Sequence, residues 1–310
     1  MSVLYTSTMD LIQKFFKKDR LALSRLISLV ENHDISSLEI LSQIHNKTGH
    51  AFIIGITGPP GSGKSTLINE LLKHILKAGK SAGIVAADPS SPFSGGSILG
   101  DRIRMQDHVM NDKVYVRSVS TRGTQGGLSR STFDAIQLLD AFGFDFIILE
   151  TVGVGQNEVD IIKYADSTLL VLVPESGDSI QTMKAGVMEI ANIFIINKSD
   201  RPGSHSLRKS LMEIGHEKNI PVLMTEASRG EGIEELWNYL NQEKEKFKKT
   251  DPKKIKKQRY EETAKILVTE FEKLILKKAH NPFKKIFEEV ENQKLNPYEA
   301  AQKIIKKLSV

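Results

Sequence analysis

Gly58-Pro59-Pro60-Gly61-Ser62-Gly63-Lys64-Ser65 follows the apolar run Phe52-Ile53-Ile54-Gly55-Ile56 and leads into Leu67-Ile68-Asn69-Glu70-Leu71-Leu72, which has helical spacing. A strand, a glycine-rich loop and a helix in that order form a phosphate-binding pattern. Glycine lets the backbone wrap tightly enough to turn successive N–H groups inward, and the N-terminus of the following helix adds its positive dipole end. In this reading Gly58, Pro59, Pro60, Gly61, Ser62, Gly63, Lys64, Ser65 and Thr66 enclose phosphate. The Lys64 ammonium reaches the outer phosphates, and the Ser65 hydroxyl meets a magnesium ion. An ordinary turn with an exposed lysine would account for the loop, but not for both of its flanks.

Outward from that loop, residues 51 to about 240 alternate β-rich runs with helical ones, the mark of a mostly parallel sheet covered on both faces. The pattern predicts strands at 51–57, 82–87, 114–119, 144–150, 168–173, 192–196 and 220–224, with helices starting near Lys64, Leu99, Leu128, Gln156, Ser179, Ser204 and Ile233. In such α/β sheets ligands bind beyond the carboxyl ends of the strands, so functional residues should follow each apolar run.

Three runs end that way. Gly83-Ile84-Val85-Ala86-Ala87 ends in Asp88, which could hold magnesium or cap a helix, and a glycine-rich segment follows. Phe146-Ile147-Ile148-Leu149 ends in Glu150, an acid placed to orient magnesium or its water, with Gly153 leaving room for a backbone N–H to approach the γ-phosphate. Ile193-Phe194-Ile195-Ile196 runs into Asn197-Lys198-Ser199-Asp200, about 130 residues beyond the phosphate loop. An aspartate there accepts from both the ring N–H and the exocyclic amine of guanine, whereas adenine would leave it unpaired, so GTP is favoured over ATP.

The bulk numbers are those of a globular protein: 310 residues, 40% hydrophobic and 26% charged. No apolar run approaches the roughly 20 residues that span a bilayer, so the chain is expected in the cytoplasm and off the membrane. With no cysteine, disulfides and thiolate metal sites are excluded. The net charge of +5 sits in the tail: residues 241 to 310 hold 19 Lys/Arg against 11 Asp/Glu. Lysine and glutamate alternate there with few aromatics, a solvated helix face rather than a nucleic-acid surface. His33, His45 and His50 have no metal-site spacing.

The first 48 residues read as helical. Leu23, Leu26, Ile27 and Val30 recur at i, i+3, i+4, i+7 behind a capping Asp19, and Ser36 to Glu39 reads as a capping box leading into a helix packed through Leu38 and Leu41. At the other end, Asp251-Pro252, Asn281-Pro282 and Asn296-Pro297 each pair a capping residue with a first-turn proline, which predicts three tail helices. Their apolar residues, among them Ile266, Leu267, Leu274, Ile275 and Ile286, need a surface to cover, and a homodimer is expected to provide it.

Ala87-Asp88-Pro89-Ser90-Ser91, the run from Gly95-Gly96-Ser97 to Asp101-Arg102-Ile103-Arg104-Met105, Thr121-Arg122-Gly123-Thr124-Gln125-Gly126-Gly127 and Glu150-Thr151-Val152-Gly153-Val154-Gly155-Gln156 together closely resemble the methylmalonyl-CoA mutase-associated GTPases. The resemblance covers roughly residues 10 to 245. It implies a P-loop G domain at 49–248, a helical N-terminal extension at 1–48 and a helical dimerisation arm at 249–310. It also implies a GTP-hydrolysing chaperone that gates adenosylcobalamin loading into a B12-dependent acyl-CoA mutase and protects or reactivates that enzyme. Residue by residue it carries over Ser65, Asp88, Asp101 and Glu150 around magnesium, Lys64, Asp101, Glu150 and Gln156 in hydrolysis, and Asn197, Lys198 and Asp200 at the base. The chain departs from the family at Thr225-Glu226-Ala227-Ser228, where serine then alanine is usual; Ala227 keeps a backbone N–H for the guanine carbonyl, with Glu226 and Ser228 beside it. Three other readings stay open: a small-molecule or transport-component kinase, a nickel-insertion GTPase, for which the cysteine and paired histidine ligands are missing, and a non-catalytic nucleotide-binding module.

Overall fold

The computed structural model describes residues 7–32, 34, 36–88, 111–120, 130–151, 164–176, 188–216, 219–247 and 283–308, with single positions between 260 and 271. The chain divides into two compact units, Met1–Phe247 and Lys248–Val310.

Seven parallel strands form the sheet of the first unit: β1 (Phe52–Thr57), β2 (Ala82–Asp88), β3 (Val114–Ser120), β4 (Phe146–Thr151), β5 (Ser167–Leu172), β6 (Ile193–Asn197) and β7 (Val222–Thr225). Their spatial order is β3-β2-β4-β1-β5-β6-β7, which puts β1 at the centre between β4 and β5. All seven fall on the apolar runs of the sequence. Buried on both sides, a parallel strand sends alternate residues to opposite layers. Phe146 and Ile148 join one cluster with β1, while Ile147 and Leu149 join the other.

Two helices, α4 (Lys64–Lys77) and α7 (Ile233–Phe247), cover the first layer through Leu67, Leu71, Ile75, Leu236 and Leu240. The opposite face is covered below β5 and β6 by α6 (Ser204–Gly215), through Leu207 and Leu211. Beneath β2 to β4 the cover comes from α5 (Arg130–Phe142) together with three helices from the start of the chain: α1 (Thr8–Phe16), α2 (Arg20–Glu31) and α3 (Ser37–Ile44). Leu23, Leu26, Ile27 and Val30 are fully buried there.

Polar contacts fix the same helices. Asp19 caps α2 by accepting from the N–H groups of Leu21 and Ala22 at 2.8 and 3.0 Å. Lys18 donates to the carbonyl of Phe142 at the end of α5, and Asp140 of α5 accepts from the N–H groups of Gly49, His50 and Ala51. Arg117 of β3 is bonded to Ser28 at 3.0 Å and to Glu31 at 2.7 Å. The expected capping box at Ser36 does not form. Asp34 captures both the N–H and the hydroxyl of Ser36, so Ser36 makes no side-chain cap. Leu38 is 44% exposed, whereas Leu41 packs against the core as expected, beside the fully buried Ile40 and Ile44.

In the second unit α8 (Lys284–Glu291) and α9 (Pro297–Leu308) bury Phe283, Ile286, Ala300 and Ile304. Asn296 caps α9 by accepting from the N–H of Glu299 at 2.9 Å, as its sequence predicts. The Asp251-Pro252 and Asn281-Pro282 starts, with Ile266, Leu274 and Ile275, lie outside the described residues.

Candidate nucleotide site

β1 ends at Thr57 and α4 begins at Lys64, so the loop between them lies at the carboxyl edge of the central strand. Gly58 has φ +143°, and a Cβ there would lie 2.0 Å from the carbonyl oxygen of Val171 on β5. Gly63 has φ +88°, and its Cβ would meet the Asn197 amide nitrogen at 2.3 Å. No L side chain fits either place, for lack of room as well as for backbone strain. The Lys64 side chain is buried and folds back along the loop, donating to the carbonyls of Gly58 at 2.7 Å and Pro59 at 3.2 Å. Pro60, Gly61 and Thr66 are exposed around it, Pro59 is half-buried and Ser62 is buried.

Glu150 is brought beside this loop by sheet register. It pairs with Ile56 of β1 and with Ala86 of β2, so the ends of three strands meet there. The Ser65 hydroxyl donates to its carboxylate at 3.0 Å, and Glu150 is buried. Asp88 ends β2 opposite Ser120, two rungs beyond the Ala86–Glu150 pair. Behind the loop the hydroxyls of Thr57 and Thr151 meet at 3.4 Å. Asp101, Gly153 and Gln156 lie outside the described residues, as do Arg102, Arg104 and Arg122.

A hydroxyl and a carboxylate at that spacing make a hard-oxygen pair of the kind magnesium takes, completing its shell from phosphate oxygens and water. Among the described residues no group of three His, Cys, Asp or Glu side chains could hold a metal ion, and His45 and His50 are exposed. The Ser65–Glu150 pair fits such an ion, its remaining ligands supplied by substrate phosphate and water.

The Asn197 turn is joined directly to the phosphate loop. The Asn197 side-chain amide donates to the carbonyl of Ser62 at 2.8 Å, and Lys198, at φ +57°, donates to the carbonyl of Gly61 at 2.8 Å. On its other side the Asn197 carbonyl oxygen accepts from the Thr225 hydroxyl at 3.2 Å and from the Ala227 N–H at 3.1 Å. That loop N–H, expected to face a base, is thus already engaged with Asn197. Asp200 is exposed at the tip of the turn and Ser228 is exposed, while Glu226 is buried and paired with Arg229. Next to the turn, the hydrogen bond from the Arg201 guanidinium holds the Glu175 carboxyl below its ordinary range.

Thr225 escaped the sequence reading as a site residue. Its signal was its place at the end of β7, where sheet register sets it opposite Asn197. The Thr57–Thr151 pair and the Glu175–Arg201 ion pair left no local pattern at all.

A parallel sheet with a phosphate loop after its central strand and an Asn-Lys-x-Asp turn braced against that loop is a P-loop GTPase domain, and the protein is a GTPase. The chain belongs to the family described as Methylmalonyl Co-A mutase-associated GTPase MeaB, whose model matches residues 23–281. A Pyrococcus abyssi protein named as a GTPase is 44% identical over 311 residues, covering 96% of each chain. The GTPase ArgK of Escherichia coli is 33% identical over 241 residues, 73% of each chain. The solved structure described as LAO/AO transport system kinase covers all of both chains with a TM-score of 0.66; at 21% identity it shares the fold.

Proposed function

We propose that this GTPase is a chaperone of a B12-dependent acyl-CoA mutase of the methylmalonyl-CoA mutase kind, gating adenosylcobalamin loading and protecting or reactivating that enzyme. The observation that carries the nucleotide half is the Asn197 bridge, which ties one loop suited to phosphate and two suited to a base into one frame. The mutase half is supported by the family, whose description names that enzyme.

In this mechanism Gly58 to Thr66 hold the phosphates of GTP or GDP by backbone N–H groups, and Lys64 leaves its loop carbonyls for the β- and γ-phosphates. Ser65 and Glu150, with Asp88 and Asp101, would hold magnesium, which when bound offsets charge on the phosphates. Gly153 offers its N–H to the γ-phosphate and Gln156 orients the attacking water. Asp200 reads the N–H edge of guanine, while Asn197 and Lys198 keep the base turn and the phosphate loop in register. Glu226, Ala227 and Ser228 form the loop that faces the base from β7.

The second unit is the proposed homodimer arm. Among its described residues Tyr260, Leu267, Val268, Tyr298 and Ile305 are between 61% and 84% exposed, apolar surface that a second copy would cover. Among the described residues no helix is long and apolar enough to cross a membrane; a cytoplasmic location is part of the proposal.

Single-turnover phosphate release from GTP, with and without a saturating cognate acyl-CoA mutase, tests the chaperone reading. Acceleration by the mutase is the expected result, together with recovery of such a mutase when the full-length protein is purified from its own host. An unchanged rate and no recovery would overturn it. Light scattering tests the arm: a chain ending at residue 248 should run as a monomer.

A further inference from the structure

Glu226-Ala227-Ser228-Arg229-Gly230-Glu231-Gly232-Ile233-Glu234-Glu235 carries four carboxylates and one cation, Arg229. Glu226 is 7% exposed, and its carboxylate lies 2.9 Å from Arg229 Nε, whose own side chain is 70% exposed. A carboxylate removed from water needs a paired cation or donors of its own. Glu226 cannot relieve itself by shifting its backbone. Its N–H donates to the carbonyl of Glu231 at 3.1 Å, and its carbonyl accepts from the N–H groups of Arg229 and Glu231 at 2.9 and 3.2 Å. On the α4 side, a Cβ at Gly230 would stand 3.6 Å from the Glu70 carboxylate, whose own cation, Lys73 at 2.6 Å, lies on the same helix.

The residue after Glu226 is the one that matters for the site. Ala227 donates to Asn197, and the same Asn197 side chain holds the carbonyl of Ser62 in the phosphate loop. Contacts therefore run without a gap from Arg229 through Glu226, Ala227 and Asn197 to Ser62. Without Arg229, the Glu226 carboxylate would need other donors, and the loop N–H groups that follow it in the chain are those of Ala227 and Ser228. Capturing the first would break the link to Asn197.

Resting on the assignment of 197–200 and 225–228 to the base pocket, we propose that Arg229 is a positioning residue for bound guanine nucleotide, acting through Glu226. It touches no nucleotide in this scheme. Its work is to keep a buried carboxylate from competing for the amide that fastens the base loop to the phosphate loop.

The test is dissociation of fluorescent mant-GDP from the full-length protein, followed by stopped flow. Arg229→Ala is expected to release mant-GDP about tenfold faster, and Arg229→Lys, which keeps the cation, within about threefold of the unmodified protein. In a Glu226→Gln background, where no charge is left stranded, the Arg229→Ala step should cost less than about twofold. Arg229 is exposed, so its truncation leaves the core intact, and thermal unfolding of each variant checks this. Unchanged release in Arg229→Ala, or the same factor in both backgrounds, overturns the proposal. The base-pocket assignment fails separately, if the unmodified protein holds mant-ADP as tightly as mant-GDP.

Discussion

The Asn197 side chain and the carbonyl of Ser62 are 135 residues apart in sequence and 2.8 Å apart in space, with both groups buried. This one amide bridges the proposed phosphate loop and the proposed base loops, so neither can move far without the other. Asn197→Ala would strand the Ser62 carbonyl, the Thr225 hydroxyl and the Ala227 N–H, each costing about 1–3 kcal/mol when buried without a partner. Nucleotide affinity is expected to fall at least about tenfold, with a lower unfolding temperature for the free protein. Isothermal titration with GDP and a thermal scan measure the two.

Asp200→Asn is expected to move the preference from GTP toward xanthosine triphosphate. An amide donates to the 2-oxo group that xanthine carries in place of the guanine amine, and it cannot accept from both guanine donors. Competition binding of the two triphosphates decides it; equal GTP affinity in both proteins would remove Asp200 from the base site.

Lys64→Ala removes the ammonium that now rests on the carbonyls of Gly58 and Pro59. Hydrolysis should drop by about two orders of magnitude or more, with weaker GTP binding, because a fixed charge on the phosphates acts most strongly as charge develops in the transition state. Phosphate release under single-turnover conditions is the assay, and normal turnover would contradict the role.

Asp145 lies at the opposite edge of the sheet and sets an acid limit on stability. Burial alone would raise its carboxyl, but the N–H and hydroxyl of Ser81, both at 2.9 Å, and the Lys80 ammonium at 3.2 Å outweigh burial and hold it below the ordinary aspartate value. A carboxyl lowered in the folded state stabilises the fold fully above its unfolded pKa, about 4, and loses that contribution as pH falls through the lowered value. Asp145→Asn should therefore melt a few degrees below the unmodified protein at pH 7, with the gap closing as pH falls through the lowered value. A gap that is constant with pH would show that packing, not charge, is responsible.

Much of this was legible in the sequence because burial on two faces leaves a strong trace. Phe146 to Leu149 had to be an inner strand whichever layer each residue entered. The phosphate loop was equally plain, since its glycines answer a local demand of the backbone. What stayed hidden depends on register between distant segments. Thr225 matters because β6 and β7 align it with Asn197, and nothing in Thr225-Glu226-Ala227-Ser228 announces that. The box at Ser36 failed for the converse reason: a closer acceptor, Asp34, took the donors that the pattern assigned elsewhere. The first helices were readable as helices, but their docking surface was not, because that surface is made a hundred residues later.

That last arrangement has a bearing on how the protein is made. Glu31 waits for Arg117, 86 residues on, and Lys18 for Phe142, 124 residues on. At roughly 5 to 20 residues added per second, α1 to α3 wait on the order of 5 to 25 seconds for α5, with only one another to cover Phe15, Leu23, Leu26 and Ile27. Holding factors are expected to find the newborn chain in that interval. Until residue 142 has emerged, α1 to α3 lack the α5 side of the core they share.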